Sequence, residues 1–243
     1  MELDKFLRIV LYLLAVVPTA TLIATYTITE LRHDTPLVIP FISASIDYSP
    51  ESCIGTLGLT ITAALSFVAM FTKYLQVSAL VDHREASLRI TQINPSSLRS
   101  HNTAGFIVGC ISLFGLIGVA AFQYHNVPAA HLVFAIMFFF GVGVHLILMA
   151  TLDRKISEER ALASLRMILS GLSIILFFPA TFPMFWGYNN LSAAFEISNA
   201  AVIFSYFLTY YREFSRIKLT INVVDPKFMR SITQEEARLL MTS

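Results

Sequence analysis

The sequence predicts an all-α polytopic membrane protein, a bundle of six transmembrane helices with both termini in the cytosol. Three observations carry that reading. Apolar residues make up 56% of the chain, charged residues only 14%, and the mean hydropathy is +0.68, whereas a soluble domain of this length would carry about 25% charge. Six apolar runs approach or exceed the roughly 20 residues needed to cross the hydrocarbon core. Finally, 16 of the 17 lysines and arginines fall at the termini, in alternate connections or in the run ends that adjoin them, as expected of segments retained in the cytosol.

Taken in chain order, the runs cover 7–29, 53–77, 102–124, 130–152, 165–186 and 193–211. They make residues 1–211 the membrane domain and leave 212–243 as a cytosolic tail. Lys5 lies before the first run, and Arg8, its second residue, is counted with it. Lys73, near the end of the second run, is counted with Arg84, Arg89 and Arg99 between the second and third, and Arg166, at the start of the fifth, with Arg154, Lys155 and Arg160 between the fourth and fifth. Six more basic residues follow the last, and Arg32 alone occupies the other side. The first run is too long for a signal-peptide core and no A-x-A site follows it, so it reads as an anchor. A net charge of +1 says nothing further about partners, and no nucleic-acid partner is expected.

Individual positions add detail. In "SIDYSPESCIG", Ser49 reads as an N-cap, Pro50 as the first helical residue and Glu51 as an acid answering the macrodipole. Gly105 and Gly109 form a G-x-x-x-G pair continued by Ser112. Such small residues let helix backbones approach closely in lipid, and packing within the bundle is the expected use. Cys53 and Cys110 lie at different depths and form neither a disulfide framework nor a metal cluster. Asn190-Leu-Ser192 matches the glycosylation pattern but lies too close to the membrane to be a favoured acceptor.

Polar residues inside apolar runs are costly unless they face protein or water. Glu196, Asn199, Tyr206 and Tyr210 recur at helical spacing and form one inward face, with Ile203 expected to face lipid. His131 lies at the outer end of the fourth run, as Glu196 does on the sixth, and His145 lies four turns deeper on nearly the same side. The first outer loop adds Asp47 and Glu51.

Two readings of Asp47, Glu51, His131, Glu196 and Asn199 stay open. In one, Glu196 pairs with His131 or with loop 41–51 and locks the bundle. In the other, the group forms an outer-leaflet pocket that binds a lipid headgroup or small solute, or performs acid/base chemistry on it. No H-E-x-x-H, no G-x-S-x-G and no zinc-like histidine spacing occurs, so neither a catalytic residue nor a metal or cofactor is assigned. A transporter is disfavoured by the lack of broken helices and buried charge rows.

Several stretches together resemble the DRAM family, the damage-regulated autophagy modulators, within the wider Frag/DRAM/Sfk group of six-span proteins. They are "FIS" and "SPES" in the first outer loop, "FTKYLQV" closing the second run, "AAFQ" closing the third, "VPAAH" opening the fourth, "LRMILS" opening the fifth and "YFLTYYREF" on the sixth. Ala44-Ser45-Ile46 stands where the family has Asp-Thr-Gly, Ala121 where Asn is usual, and Ile197 where Trp is usual. The resemblance implies a multi-pass, non-enzymatic regulator of autophagy or lysosomal function that recruits protein partners in the lysosomal or late endosomal membrane. The wider group implies an alternative: a lipid-binding or lipid-remodelling protein, related to GPI anchors or phosphoinositides, of the plasma or Golgi membrane. In the tail, Glu235, Leu239 and Leu240 form an E-x-x-x-L-L pattern that resembles sorting signals read by clathrin adaptors. Thr233 to Glu236 also fits a capping box, so a short amphipathic helix on the membrane competes with that reading.

Overall fold

The computed structural model describes residues 3–35, 38–84 and 94–216, and is all-helical across them. Six of its helices are long and apolar enough to cross a membrane. In chain order the helices are α1 (Leu3–Arg32), α2 (Glu51–His83), α3 (Pro95–Ala121), α4 (Pro128–Ile156), α5 (Arg160–Thr181), α6 (Asn189–Leu208) and the single turn α7 (Tyr211–Phe214), which prolongs the sixth span. Two 3₁₀ turns, Ala44–Ile46 and Pro183–Trp186, lie in the connections. Ile23, Leu57, Phe114, Val133, Ile168 and Ile175 are all exposed. A soluble protein rarely leaves so much large apolar surface open, and here it forms the lipid-facing belt.

Sequence-adjacent helices pack against one another, and α1 also touches α6 and α7. The end of the bundle holding the start of α1 and the end of α7 is called here the terminal face; the other is the distal face. Helices α2 and α3 run beyond their apolar cores, by six residues at 78–83 and seven at 95–101, so their polar ends project at the terminal face. There Arg99 pairs with Asp82 at 2.8 Å, and Arg84 pairs with Glu158. Conversely, apolar sequence outlasts helix at 122–124 and 182–186. Phe122 turns to an extended conformation, and Pro183 can donate no backbone bond before Gly187 takes a positive φ of 84°.

The interior follows the small-residue pattern. Gly109 lies against Met70 of α2 and His145 of α4, Gly105 against Met149, and Ser112 against Gly141. The G-x-x-x-G stripe is thus an intramolecular seam between α2, α3 and α4. Helix α2 begins one residue later than expected, with Pro50 at the cap. Ser49 does not cap it, and the Ser52 N–H donates to the Tyr48 carbonyl at 2.6 Å instead.

Candidate functional site

The distal face holds the residues singled out in the sequence. The connection after α1 is pinned back onto that helix: Tyr26 donates to the Pro40 carbonyl, Thr29 donates to the Ser45 carbonyl at 3.3 Å, and the Thr25 and Ser45 hydroxyls bond at 3.1 Å. Three polar residues within a single turn of α1, Thr25, Tyr26 and Thr29, therefore hold the loop across the mouth of the bundle. Beneath it, Glu196 accepts a hydrogen bond from the Ile42 N–H at 2.9 Å. Of the two partners the sequence offered, the loop takes it. His131 is committed elsewhere: its Nδ1–H donates to the Phe122 carbonyl at 2.6 Å, and the Tyr124 ring meets it edge-on. Asp47 accepts the His125 N–H at 2.8 Å and so ties the same loop to the α3–α4 turn.

These groups enclose a cavity of about 290 Å³, at the lower end of the range for ligand sites. Asp47, Tyr124, His131, Asn189 and Glu196 lie around its mouth, with Ile136, Phe139 and Phe177 below. Phe139 is eight residues past His131, so the floor lies about 12 Å deeper along α4. The cavity has a polar rim and an apolar throat, the shape of an amphiphile rather than of a soluble polar substrate.

Two of the five sequence candidates stand apart from it. Asn199 is buried one turn deeper and accepts from the Ser173 hydroxyl at 2.8 Å, joining α5 to α6. Glu51 is buried at the start of α2, where Asp34 and Arg32 are the charged groups that act on its carboxyl. Asn190 occupies the first turn of α6 and accepts from the Ile39 N–H at 3.2 Å, while Ser192 is fully buried. The glycosylation pattern is therefore folded into a helix. Among the described residues no group of three His, Cys, Asp or Glu side chains is arranged to hold a metal.

Glu196 gives a test of the site's mechanical role. Replacing it with alanine leaves the Ile42 N–H without its acceptor under a packed loop, which costs roughly 1 to 3 kcal/mol. Glu196→Ala is expected to lower the melting temperature in detergent, and Ile175→Ala, at 65% exposure on the lipid face, to leave it nearly unchanged. Ile203 is no suitable comparison, because it is 1% exposed. It lies four residues after Asn199 and three before Tyr206, on the buried stripe. Equal melting temperatures for the two variants would remove any anchoring role from Glu196.

The feature that sequence reasoning missed lies at the terminal end of the bundle. The side chains of Arg166, Asp153 and Lys73 are 0%, 1% and 4% exposed, and that of Glu213 is 17% exposed. They form a closed ring. Lys73 Nζ lies 2.9 Å from Asp153 and 2.7 Å from Glu213, and Arg166 Nη1 lies 2.7 Å from each of the same carboxylates. Arg166 also donates to the Thr209 hydroxyl at 2.8 Å and to its carbonyl at 3.1 Å, and its guanidinium stacks 4.7 Å from the centre of the Tyr210 ring. The ring joins α2, α4, α5 and α7 with no net charge. Asp153 is 22 residues past His131 on α4, about 33 Å away along the axis, so the two polar sites sit at opposite boundaries of a hydrocarbon layer about 30 Å thick.

The expectation of a bundle without buried charges is thereby corrected. The signal was present, since Lys73, Asp153, Arg166 and Glu213 fall at one depth with signs that cancel. Counting the basic residues as loop markers concealed it.

A family model described as the Frag1/DRAM/Sfk1/Cwh43P N-terminal domain matches residues 6–217. The chain is 28% identical over 229 residues to DNA damage-regulated autophagy modulator protein 2 of Bos taurus, covering 83% of this chain and 82% of that one. It is 26% identical to the Homo sapiens protein of that name, over 84% of this chain and 82% of the relative. It is also 26% identical to DNA damage-regulated autophagy modulator protein 1 of Xenopus laevis, over 86% and 91%. No solved structure gives a significant match.

Proposed function

Because the chain belongs to the Frag1/DRAM/Sfk1/Cwh43P family, we propose that it is a non-enzymatic, multi-pass regulator of autophagy that works by recruiting protein partners at the lysosomal or late endosomal membrane. The observation that carries this reading is the match to autophagy modulators along more than four fifths of the chain. The terminal face supports recruitment. The α2 and α3 ends reach beyond the lipid belt and present Asp82, Arg84 and Arg99, with Glu158, Arg212 and Arg216 beside them. That is a rigid charged surface for a protein partner.

The distribution of basic residues supports a cytosolic placement of this face. A glycosylation acceptor fused after Ser243 is therefore expected to stay unmodified in cells, while one inserted in the distal connection between α3 and α4 is expected to be used. Modification of the terminal tag would reverse the orientation and remove the surface from its partners.

Glu235, Leu239 and Leu240 lie outside the described residues. As an adaptor signal they would direct the protein to its compartment, the two leucines filling an apolar slot while the acid meets a basic patch. In cells lacking the protein, restored wild type is expected to reach lysosomes and raise autophagic flux, read from a tandem-fluorescent autophagosome reporter. The Leu239→Ala/Leu240→Ala variant is expected to collect at the cell surface and to restore less flux. Lysosomal localisation unchanged in that variant would dismiss the motif, and unchanged flux on removing the protein would dismiss the regulatory function.

A second reading is favoured by one observation, the distal cavity rimmed by Asp47, His131 and Glu196. In that reading the protein binds a membrane lipid from the distal leaflet, and its regulatory state follows the occupancy of the cavity.

A further inference from the structure

We infer that the distal cavity takes an amine-headed amphiphile: a protonated amine held between Glu196 and Asp47, with a single alkyl chain entering the throat toward Phe139. The inference rests on the lipid-binding reading of that cavity and specifies the chemistry of its occupant.

Charge is the first argument. Two carboxylates, Asp47 and Glu196, line the cavity, and among the described residues no lysine or arginine does. Each carboxylate has one backbone N–H as its recorded partner, from His125 and Ile42 respectively. A carboxylate has room for about four such bonds, and one taken out of bulk water calls for a cation or several donors. Both carboxylates line the cavity with hydrogen-bonding capacity left over.

His131 strengthens the pattern. It is 3% exposed and lines the cavity. Its Nδ1–H is spent on the Phe122 carbonyl, so that in the neutral ring Nε2 is the acceptor. Nε2 has no recorded partner among the described residues. The two acids and the ring nitrogen thus all ask for donors. An ammonium group has three donors and a charge of the required sign. A phosphate would bring its own negative charge against two carboxylates.

Size and shape supply the rest. A volume of about 290 Å³ corresponds to roughly ten water-sized groups at about 30 Å³ each. That holds a headgroup and the first several methylenes, not a whole two-chain lipid. Leu132, Ala135, Ile136 and Phe139 follow one side of α4 down the throat. Ile136 lines the throat and is 42% exposed, so the throat is not sealed at that side chain.

The test uses the full chain purified in an uncharged maltoside detergent, with thermal stability and calorimetric titration as readouts. Four probes are compared: dodecylamine, dodecanol, dodecyl phosphate and ethylamine. Dodecylamine is expected to stabilise saturably, and the others to do so at least tenfold less well. Glu196→Gln, which keeps the acceptor for Ile42, and Ala135→Leu, which fills the throat, are each expected to weaken dodecylamine binding at least tenfold. Dodecanol or dodecyl phosphate binding as tightly as dodecylamine, with Ala135→Leu blocking it, would overturn the amine while leaving a lipid cavity in place. Ethylamine binding equally well would overturn the amphiphile in favour of a soluble amine. If neither substitution changes any probe's effect while both variants melt cooperatively, the inference and the lipid-binding reading fall together.

Discussion

Arg166→Met is expected to be the most damaging single substitution in the bundle. Arg166 contacts Asp153, Glu213, Thr209 and the face of Tyr210 with no exposed surface of its own. Removing one partner of a buried ionic group leaves uncompensated charge behind, at a cost of about 3 to 5 kcal/mol. The lower half of that range applies, because the Glu213 side chain keeps 17% of its surface and Lys73 still serves both carboxylates. The surface pair of Arg212 and Glu159 is the comparison, at 4.0 Å with Arg212 73% exposed. Such pairs contribute between about 0 and 1 kcal/mol, so Arg212→Met should leave the melting temperature almost unchanged.

Charge balance then predicts the double variant. Arg166→Met leaves the ring with one excess negative charge, and adding Glu213→Gln restores neutrality. The double variant is expected to be more stable than Arg166→Met alone, a non-additivity that independent packing losses would not give. Melting temperatures of wild type, Arg166→Met, Glu213→Gln and the double variant in one detergent decide it. Equal losses from Arg166→Met and Arg212→Met would show that the ring does not hold the bundle.

The same ring explains which parts of the molecule were legible in advance. Six helices follow from run length and hydropathy, because lipid demands that every backbone polar group be satisfied within its own helix. The inward stripe on α6 was readable for a related reason, since Asn199, Tyr206 and Tyr210 are all fully buried at helical spacing. Glu196 was correctly placed beside loop 41–51. Its donor, the Ile42 N–H, carried no sequence signal, because any residue but proline at 42 offers that group.

The ring was not legible to a rule that counts only basic residues. Lys73 and Arg166 were read as loop markers, and no rule asked where Asp153 and Glu213 would find partners. The stretches that carried the family resemblance tell the rest. "FTKYLQV" contains Lys73, "LRMILS" contains Arg166, and "YFLTYYREF" contains Thr209, Tyr210 and Glu213. "VPAAH" and "AAFQ" similarly contain His131 and the Phe122 whose carbonyl it binds. The recognisable fragments are, in physical terms, the pieces of the two polar sites at the ends of the bundle. A single fragment conveys little because each site is assembled from several helices distant in sequence.

Between those two sites the bundle depends on close backbone approach, and Gly115→Ala is expected to show it. A Cβ at Gly115 would lie 2.6 Å from the Phe138 nitrogen and 3.0 Å from the Phe134 oxygen. Both are backbone atoms of α4, so no side chain can turn aside and the helix itself must move. Gly109→Ala is milder in kind, because its Cβ meets the end of the flexible Met70 side chain as well as the His145 ring. Forcing an added carbon into a packed seam costs about 1 to 3 kcal/mol, and the upper end applies where backbone is the obstacle. Helix propensity alone predicts the opposite sign, a gain of up to about 1 kcal/mol for Gly to Ala in a helix interior. Gly171 separates the two effects, since a Cβ there meets nothing within 4 Å. Gly171→Ala should therefore hold or raise the melting temperature while Gly115→Ala lowers it. If both variants move the same way, α3 and α4 are not held together by backbone contact at Gly115, and the seam must be carried by the larger side chains around it.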